Sequence, residues 1–288
     1  MRSASQPDCH SPPAAKDADG TLARLLGASR PIVMGILNVT PDSFSDGGRF
    51  LDPAAAIEHA RRMVAEGADI IDVGAESTRP YGTATPVSLS EEVRRLEPVL
   101  AAVAGLGVPV SIDTMKAPVA ASALAAGASI VNDVWGLQRD PDMAGVVAGH
   151  GVPVIIMHNR ETADPAIDIM ADIAAFFARS LDLAARAGIA DDRIVLDPGI
   201  GFGKTPEQSL TALARLDQLK AFGLPLLVGA SRKRFIDKVS PAPPDRRLGG
   251  SLAAHLLAVA GGARIIRAHD VAETVQALKV AAAIRAAK

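Results

Sequence analysis

The sequence predicts a single-domain α/β fold, a (β/α)8 TIM barrel, on three observations. From about residue 30, eight short apolar or β-branched runs alternate with longer Ala/Leu/Arg-rich segments. Such alternation implies parallel βαβ units, and eight of them favour a closed barrel over an open sheet. The runs lack strict polar alternation, as expected of strands covered on both faces. The length of 288 residues, 49% of them hydrophobic and 22% charged, suits one large domain with a sizeable core.

The runs are "PIVMGILN" (31–38), "DIIDVG" (69–74), "VPVSID" (108–113), "SIVND" (129–133), "VPVIIMH" (152–158), "RIVLD" (193–197), "LPLLVGA" (224–230) and "ARIIRAH" (263–269). Between them stand helix signals. Asp52-Pro53 reads as an N-cap with proline at N1. Ser88 with Glu91 fits a capping box. "GLGVP" after Ala104 and "AGAS" after Ala125 are glycine stops. The stretch 231–262 leaves room for an extra helix or loop before the last strand.

Residues 1–20 are polar and rich in Pro and Ala; they read as a flexible tail without the apolar centre of a secretory signal, and 21–288 as the catalytic domain. The formal net charge of −2 and the single Trp and Tyr speak against nucleic acid as a partner. No apolar run reaches the length of a membrane span. The only cysteine, Cys9, rules out an internal disulfide framework and suits a reducing cytoplasm.

In barrels of this kind the active site lies at the C-terminal ends of the strands. Asn38, Asp72, Glu76, Asp113, Asn132, Asp133, His158, Asp197 and His269 all fall at or just past such ends. Each could be no more than the N-cap of the following helix. Asp113, Asn132 and Asp197 stand out because they end apolar strands directly. Together they suit a flat heterocycle with amino and keto edges, since a carboxylate opposite an N–C–NH2 edge makes a paired, charge-assisted contact.

The stretch "DPGIGFGKT" (197–205) is not a phosphate loop. The glycine required five residues before Gly-Lys-Thr is Pro198, which lacks an N–H, and Gly199, Gly201 and Gly203 miss the dinucleotide spacing. Lys204 and Thr205 read as helix-entry residues. The loop "NVTPDSFSDGGRF" after the first strand places Phe44 among turn residues, as a closing lid would. "ESTRPYGTATPVS" after the second carries Glu76 and Arg79. "SRKRF" sets Arg232, Lys233 and Arg234 after the seventh strand, where barrels often hold phosphate, with Arg232 read as a solvated charge. Arg267, near Asn38 of the first strand, would bring a guanidinium fork to the same rim. No H-E-x-x-H or cysteine pair offers a transition-metal site. A Mg2+ ion held through a substrate's phosphates needs only one protein oxygen.

The ordered motifs "MGILNVTPDSFSDGG", "IDVGAESTRP", "SIDT", "VND", "MH", "DPGIGFGKT", "GASRKRF" and "RAHDV" resemble the dihydropteroate synthase family, from about Ile32 to the C-terminus. The resemblance implies a homodimeric transferase of folate biosynthesis, a target of sulfonamides. It would join 6-hydroxymethyl-7,8-dihydropterin diphosphate to 4-aminobenzoate and release diphosphate. Asp113, Asn132, Asp197 and Lys233 would then grip the pterin, with Met157 of the "MH" motif in the same pocket. Asn38, Arg267 and His269 would hold the diphosphate, with Mg2+ at Asn38. Thr78 and Arg79 would add contacts to the pyrophosphate or pterin from the second loop, and Phe44 and Pro80 would flank the aminobenzoate ring. The resemblance implies loss of diphosphate before amine attack, with Asp113, Asp197 and Asp42 offsetting the pterin cation. Tyr81 and Arg234 depart from the family's pattern, and Arg234 stands where the aminobenzoate carboxylate would lie. A pterin-binding methyltransferase barrel shares the strand-end residues but needs no diphosphate clamp; a binding-only paralogue likewise.

Asp113→Ala is expected to abolish pterin binding, while Phe44→Leu mainly weakens binding of aminobenzoate and sulfonamide. Titration of each ligand against each variant checks this division, and equal losses for both ligands would contradict it.

Overall fold

A computed structural model of the chain describes residues 20–40, 52–76 and 87–287. The strands are β1 (Ile32–Asn38), β2 (Ile70–Gly74), β3 (Val110–Asp113), β4 (Ile130–Asp133), β5 (Val154–Met157), β6 (Ile194–Asp197), β7 (Leu226–Val228) and β8 (Ala263–Ala268). They close in chain order into a barrel, every pair parallel, with β8 returning to β1. All eight predicted runs are strands. Three of them, β3, β5 and β7, start two residues later than the apolar pattern suggested, and proline is the reason. Pro109, Pro153 and Pro225 offer their carbonyls to Ile71, Val131 and Leu196 at 2.9–3.1 Å, but each lacks the N–H to donate. The ladder therefore begins one residue further on.

The helices are α1 (Thr21–Leu26), α2 (Pro53–Ala65), α3 (Leu89–Ala104), α4 (Ala117–Ala125), α5 (Met143–His150), α6 (Ile169–Ala187), α7 (Pro206–Ala214), α8 (Arg234–Val239), α9 (Leu248–Gly261) and α10 (Val271–Ala286). Asp52 caps α2 by accepting from the Ala54 and Ala55 N–H groups at 3.0 and 3.3 Å, as its position predicts. Ser88 caps α3, accepting from the Glu91 N–H, yet the expected capping box does not form. The Glu91 carboxylate turns instead to Arg94 and Arg95, each at 2.8 Å. A full box does appear at α7, between Thr205 and Gln208. The room before the last strand holds α8 and α9.

Two apolar cores result. Leu37, Val73, Ile112 and Val131 point outward from the strands into the layer shared with the helices. Ile32, Met34, Ile70, Ile130, Ile155, Val195, Leu227 and Ile265 point inward and fill the lower barrel. Helix α1, which the sequence reading did not anticipate, closes that end with Leu22 inside the plug and Leu25 and Leu26 against it. No helix among the described residues is long and apolar enough to cross a membrane.

In the outer core Phe177 is fully buried, edge-on to Phe176 at 6.4 Å and to Phe222 at 5.6 Å. Phe177→Ala is expected to remove about 3–5 kcal/mol of unfolding free energy, measurable by urea denaturation.

Candidate active site

The inward plug determines what sits above it. Side chains two residues apart on a strand share a face. Two residues beyond Ile70, Ile130, Ile155, Val195 and Ile265 come Asp72, Asn132, Met157, Asp197 and Arg267. The faces that fill the lower barrel with hydrocarbon thus carry a polar tier at its C-terminal mouth. Asp113 joins this tier from β3.

Arg267 organises the tier. Its Nε donates to Asp72 at 2.6 Å and its Nη2 to Asp113 at 2.8 Å. Asn132 donates to the same Asp72 carboxylate at 3.1 Å. Burial alone would lower the Arg267 pKa, but the Asp72 and Asp113 charges outweigh it and hold it above the ordinary value. Asp113 is pushed up to about 7, chiefly by burial, with Arg267 opposing. Arg267 therefore reaches inward, with Nε and Nη2 engaged by the carboxylates of β2 and β3.

Asp197 is buried and accepts from the Gly199 N–H at 2.7 Å. Burial raises its pKa, and Lys233 is the main opposing influence. Lys233 donates to the Ile200 carbonyl, and its ammonium lies 4.4 Å from the Phe202 ring centre. Burial brings its pKa down to about 7 against the pull of Asp197. Met157 sits opposite Asp197 in the β5–β6 register and is buried. Among the described residues, the buried oxygens Oδ1 of Asp113 and Oδ1 of Asn132 have no hydrogen-bond partner. An unpaired buried acceptor costs about 1–3 kcal/mol, which a ligand bearing N–H groups would recover.

Other sequence candidates fall outside this cluster. Asp133 accepts from the Trp135 and Leu137 N–H groups at 2.9 and 2.6 Å, so it shapes its own turn. Glu76 binds Lys116 at 2.7 Å and the Val87 N–H at 3.1 Å, tying together the two ends of the second loop. Arg232 is not merely solvated, since it pairs with Asp270 across the β7 and β8 exits. His269 sits at the end of β8 with Nδ1 2.9 Å from Ser231 Oγ. Asn38 ends β1 beside Gly74 of β2. Arg234 opens α8, exposed beside Thr205 and Glu207. Asp42, Phe44, Thr78, Arg79, Pro80 and Tyr81 lie outside the described residues.

Asp72 was read as one of the strand-end candidates but given no role; it lies two residues before the β2 end, and its partnership with Arg267 shows through the inward period. Lys204 does lead into α7 through the capping Thr205, but it is 1% exposed and bonded to the glycine loop, which the sequence reading did not anticipate. Its only sequence signal is a lysine placed before a capping threonine at the end of a run of glycines. A separate open groove of about 430 Å3 lies between Trp135, Arg139, Phe176 and Arg179. Its cations are engaged already, Arg139 with Glu161 and over Trp135, and Arg179 over Phe176.

The shifts of Asp113 and Lys233 have opposite consequences for stability. A carboxyl raised on folding contributes stability that is fully present below its unfolded pKa and lost as pH rises through the folded value. For Asp113 that window runs from about pH 4 to about pH 7. Lys233, lowered on folding, adds stability as pH rises from about 7 toward 10. The unfolding free energy of the parent relative to Asp113→Asn is expected to fall between about pH 4 and 7 and then level off, which urea titrations at stepped pH would measure.

A family model described as pterin binding enzyme matches residues 34–269. The dihydropteroate synthase of Synechocystis sp. is 48% identical over 263 residues, covering 88% of this chain and 90% of that protein. A dihydropteroate synthase structure from Clostridium difficile, determined in the presence of pteroic acid, superposes with a TM-score of 0.85 at 48% identity, covering 89% of this chain and 97% of that one. The Xanthomonas albilineans dihydropteroate synthase with 4-aminobenzoic acid gives 0.85 at 45% identity, with 90% and 94% covered. With its closed barrel and this tier of strand-end charges, the chain belongs to the pterin-binding enzyme family, among the dihydropteroate synthases.

Proposed function

We propose that the chain condenses 6-hydroxymethyl-7,8-dihydropterin diphosphate with 4-aminobenzoate to give 7,8-dihydropteroate and diphosphate. The observation that carries this reading is the pair of buried oxygens of Asp113 and Asn132 that no described residue satisfies, at the same barrel mouth as the buried Asp197. Acceptors on two sides suit the amino and ring N–H groups of a pterin. Lys233, beside Asp197, supplies a donor to its keto edge.

The chemistry follows from the charges. Breaking the bond between the pterin methylene carbon and the diphosphate oxygen leaves positive charge on the pterin, which the Asp113 and Asp197 carboxylates offset. Asp42 adds to this if the first loop closes over the site. Arg267, His269 and Asn38 hold the diphosphate at the β8–β1 side of the mouth. The amine of 4-aminobenzoate then attacks the methylene carbon and loses a proton. No strong base is needed for an aromatic amine. Phe44 and Pro80 flank its ring, and Arg234 or backbone N–H groups meet its carboxylate, while Thr78 and Arg79 add contacts to the pyrophosphate or pterin.

Among the described residues no group of three His, Cys, Asp or Glu is placed to hold a metal. The donor set therefore fits Mg2+ carried by the substrate's phosphates, with the Asn38 side-chain oxygen as its protein ligand. There it would neutralise charge on the departing diphosphate. The exposed Leu257 of α9 and Val280 and Ile284 of α10 support a homodimer through that face. The lack of a disulfide framework supports a cytoplasmic location.

Incubation of the protein with both substrates and Mg2+ is expected to release pyrophosphate and dihydropteroate together, only when 4-aminobenzoate is present. Pterin binding without either product would overturn the reading. Asp197→Ala is expected to weaken pterin binding roughly 10- to 150-fold, measured by calorimetric titration.

A further inference from the structure

Lys204 is a buried cation that the reaction as described does not use. Its ammonium donates to three neutral acceptors, His158 Nδ1 at 2.6 Å and the carbonyls of Gly199 and Phe202 at 2.9 and 3.1 Å. His158 is wholly buried, and its Nε2 faces Asp172 Oδ2 at 3.0 Å. Burial, reinforced by Lys204, pulls the His158 pKa down to about 3, so the ring is neutral. Nε2 then carries the proton and donates to Asp172, and Nδ1 is left to accept from Lys204. Asp172 also takes Arg160 at 2.9 Å.

The loop that Lys204 holds is the floor of the mouth. Gly199, Gly201 and Gly203 all adopt positive φ. At Gly199 a Cβ would run into the His158 carbonyl, and at Gly203 into the Arg160 backbone, so the loop lies flat against the chain leaving β5. On that path the Gly199 and Phe202 carbonyls both accept from Lys204. Between them the Ile200 carbonyl accepts from Lys233, and the Gly199 N–H donates to Asp197. One peptide segment thus sets both pterin-facing charges.

We propose that Lys204 is a positioning residue of the pterin pocket, its ammonium fastening the 198–203 loop to the β5 exit in the arrangement that presents Asp197 and Lys233 to the substrate. The inference rests on the synthase reading above. It weighs on the two substrates unequally: of the residues assigned to aminobenzoate only Arg234, beside Thr205, adjoins this fastening, while Phe44 and Pro80 belong to the first and second loops.

The test uses the full chain with Lys204→Met and Lys204→Gln. The dissociation constant of dihydropterin diphosphate is read by calorimetry without aminobenzoate, the KM of aminobenzoate at saturating pterin substrate, and folding by thermal unfolding. Lys204→Met is expected to weaken pterin binding by at least about tenfold, and Lys204→Gln, which keeps an N–H donor, by less. The aminobenzoate KM is expected to stay within about twofold of the parent in both. Parent pterin affinity in folded variants, or equal losses for the two substrates, would overturn the proposal. Should neither variant fold, His158→Phe removes one acceptor and leaves Lys204 in place. Weakened pterin binding with an unchanged aminobenzoate KM supports the proposal, and parent affinity overturns it. Failure of all three to fold would mark Lys204 as purely structural and also overturn it. A parent that forms no dihydropteroate would sink the synthase reading. A parent that turns over beside variants that bind pterin as it does would sink this inference alone.

Discussion

The guanidinium of Arg267, shared between Asp72 and Asp113, is the interaction around which the mouth of the barrel is built. Taking an ion out of water costs several kcal/mol, and a pair repays this only when geometry and further hydrogen bonds are good. Here one cation from β8 reaches across β1 to carboxylates on β2 and β3, and Asn132 of β4 closes on Asp72. Strands that are not neighbours in the sheet are joined through their side chains. Removing Arg267 would leave two carboxylates buried without their cation. The arrangement also keeps Asp113 only half satisfied among the described residues, with one oxygen on Arg267 and the other on none of them.

That half-satisfied state is what links fold to function. A barrel filled with hydrocarbon below and charged groups above is a low-dielectric platform, on which charges act strongly and with little reorganisation. Its stiffness comes from the inward plug and from helix α1 beneath it. Around the mouth, Lys116 pairs with Glu76 and Glu92 and so ties the β2 exit to α3. Asp197 and Lys233 stand on the other side, set by the glycine loop. Two opposed charged walls about a flat slot are what a planar, amino-rich heterocycle requires.

Much of this was legible in the sequence, because it depends on short-range patterns. Eight apolar runs, the Asp52 cap and the glycine stops after Ala104 and Ala125 each declare themselves within a few residues. So did Asp113, Asn132 and Asp197, which end their strands. What escaped depends on contacts between segments distant in the chain. Lys204 looks like an ordinary helix-entry lysine until the loop folds over it onto His158, 46 positions earlier. Asp133 and Glu76 carry the same strand-end signature as the site carboxylates, but their backbone and lysine partners claim them. Arg267 drew notice through the order of motifs, whereas its inward aim follows from the two-residue period above Ile265. Helix α1 is too short to announce itself by periodicity, and packing alone recruits it.

The most direct test of the account is a crystal structure of the chain with dihydropterin diphosphate bound. The account places the pterin ring at the barrel mouth, edge-on to Asp113, Asn132 and Asp197 and in reach of Lys233, with the diphosphate toward Arg267 and His269. A ring found instead in the groove between Trp135 and Phe176, with the Asp113 and Asn132 oxygens untouched, would contradict it.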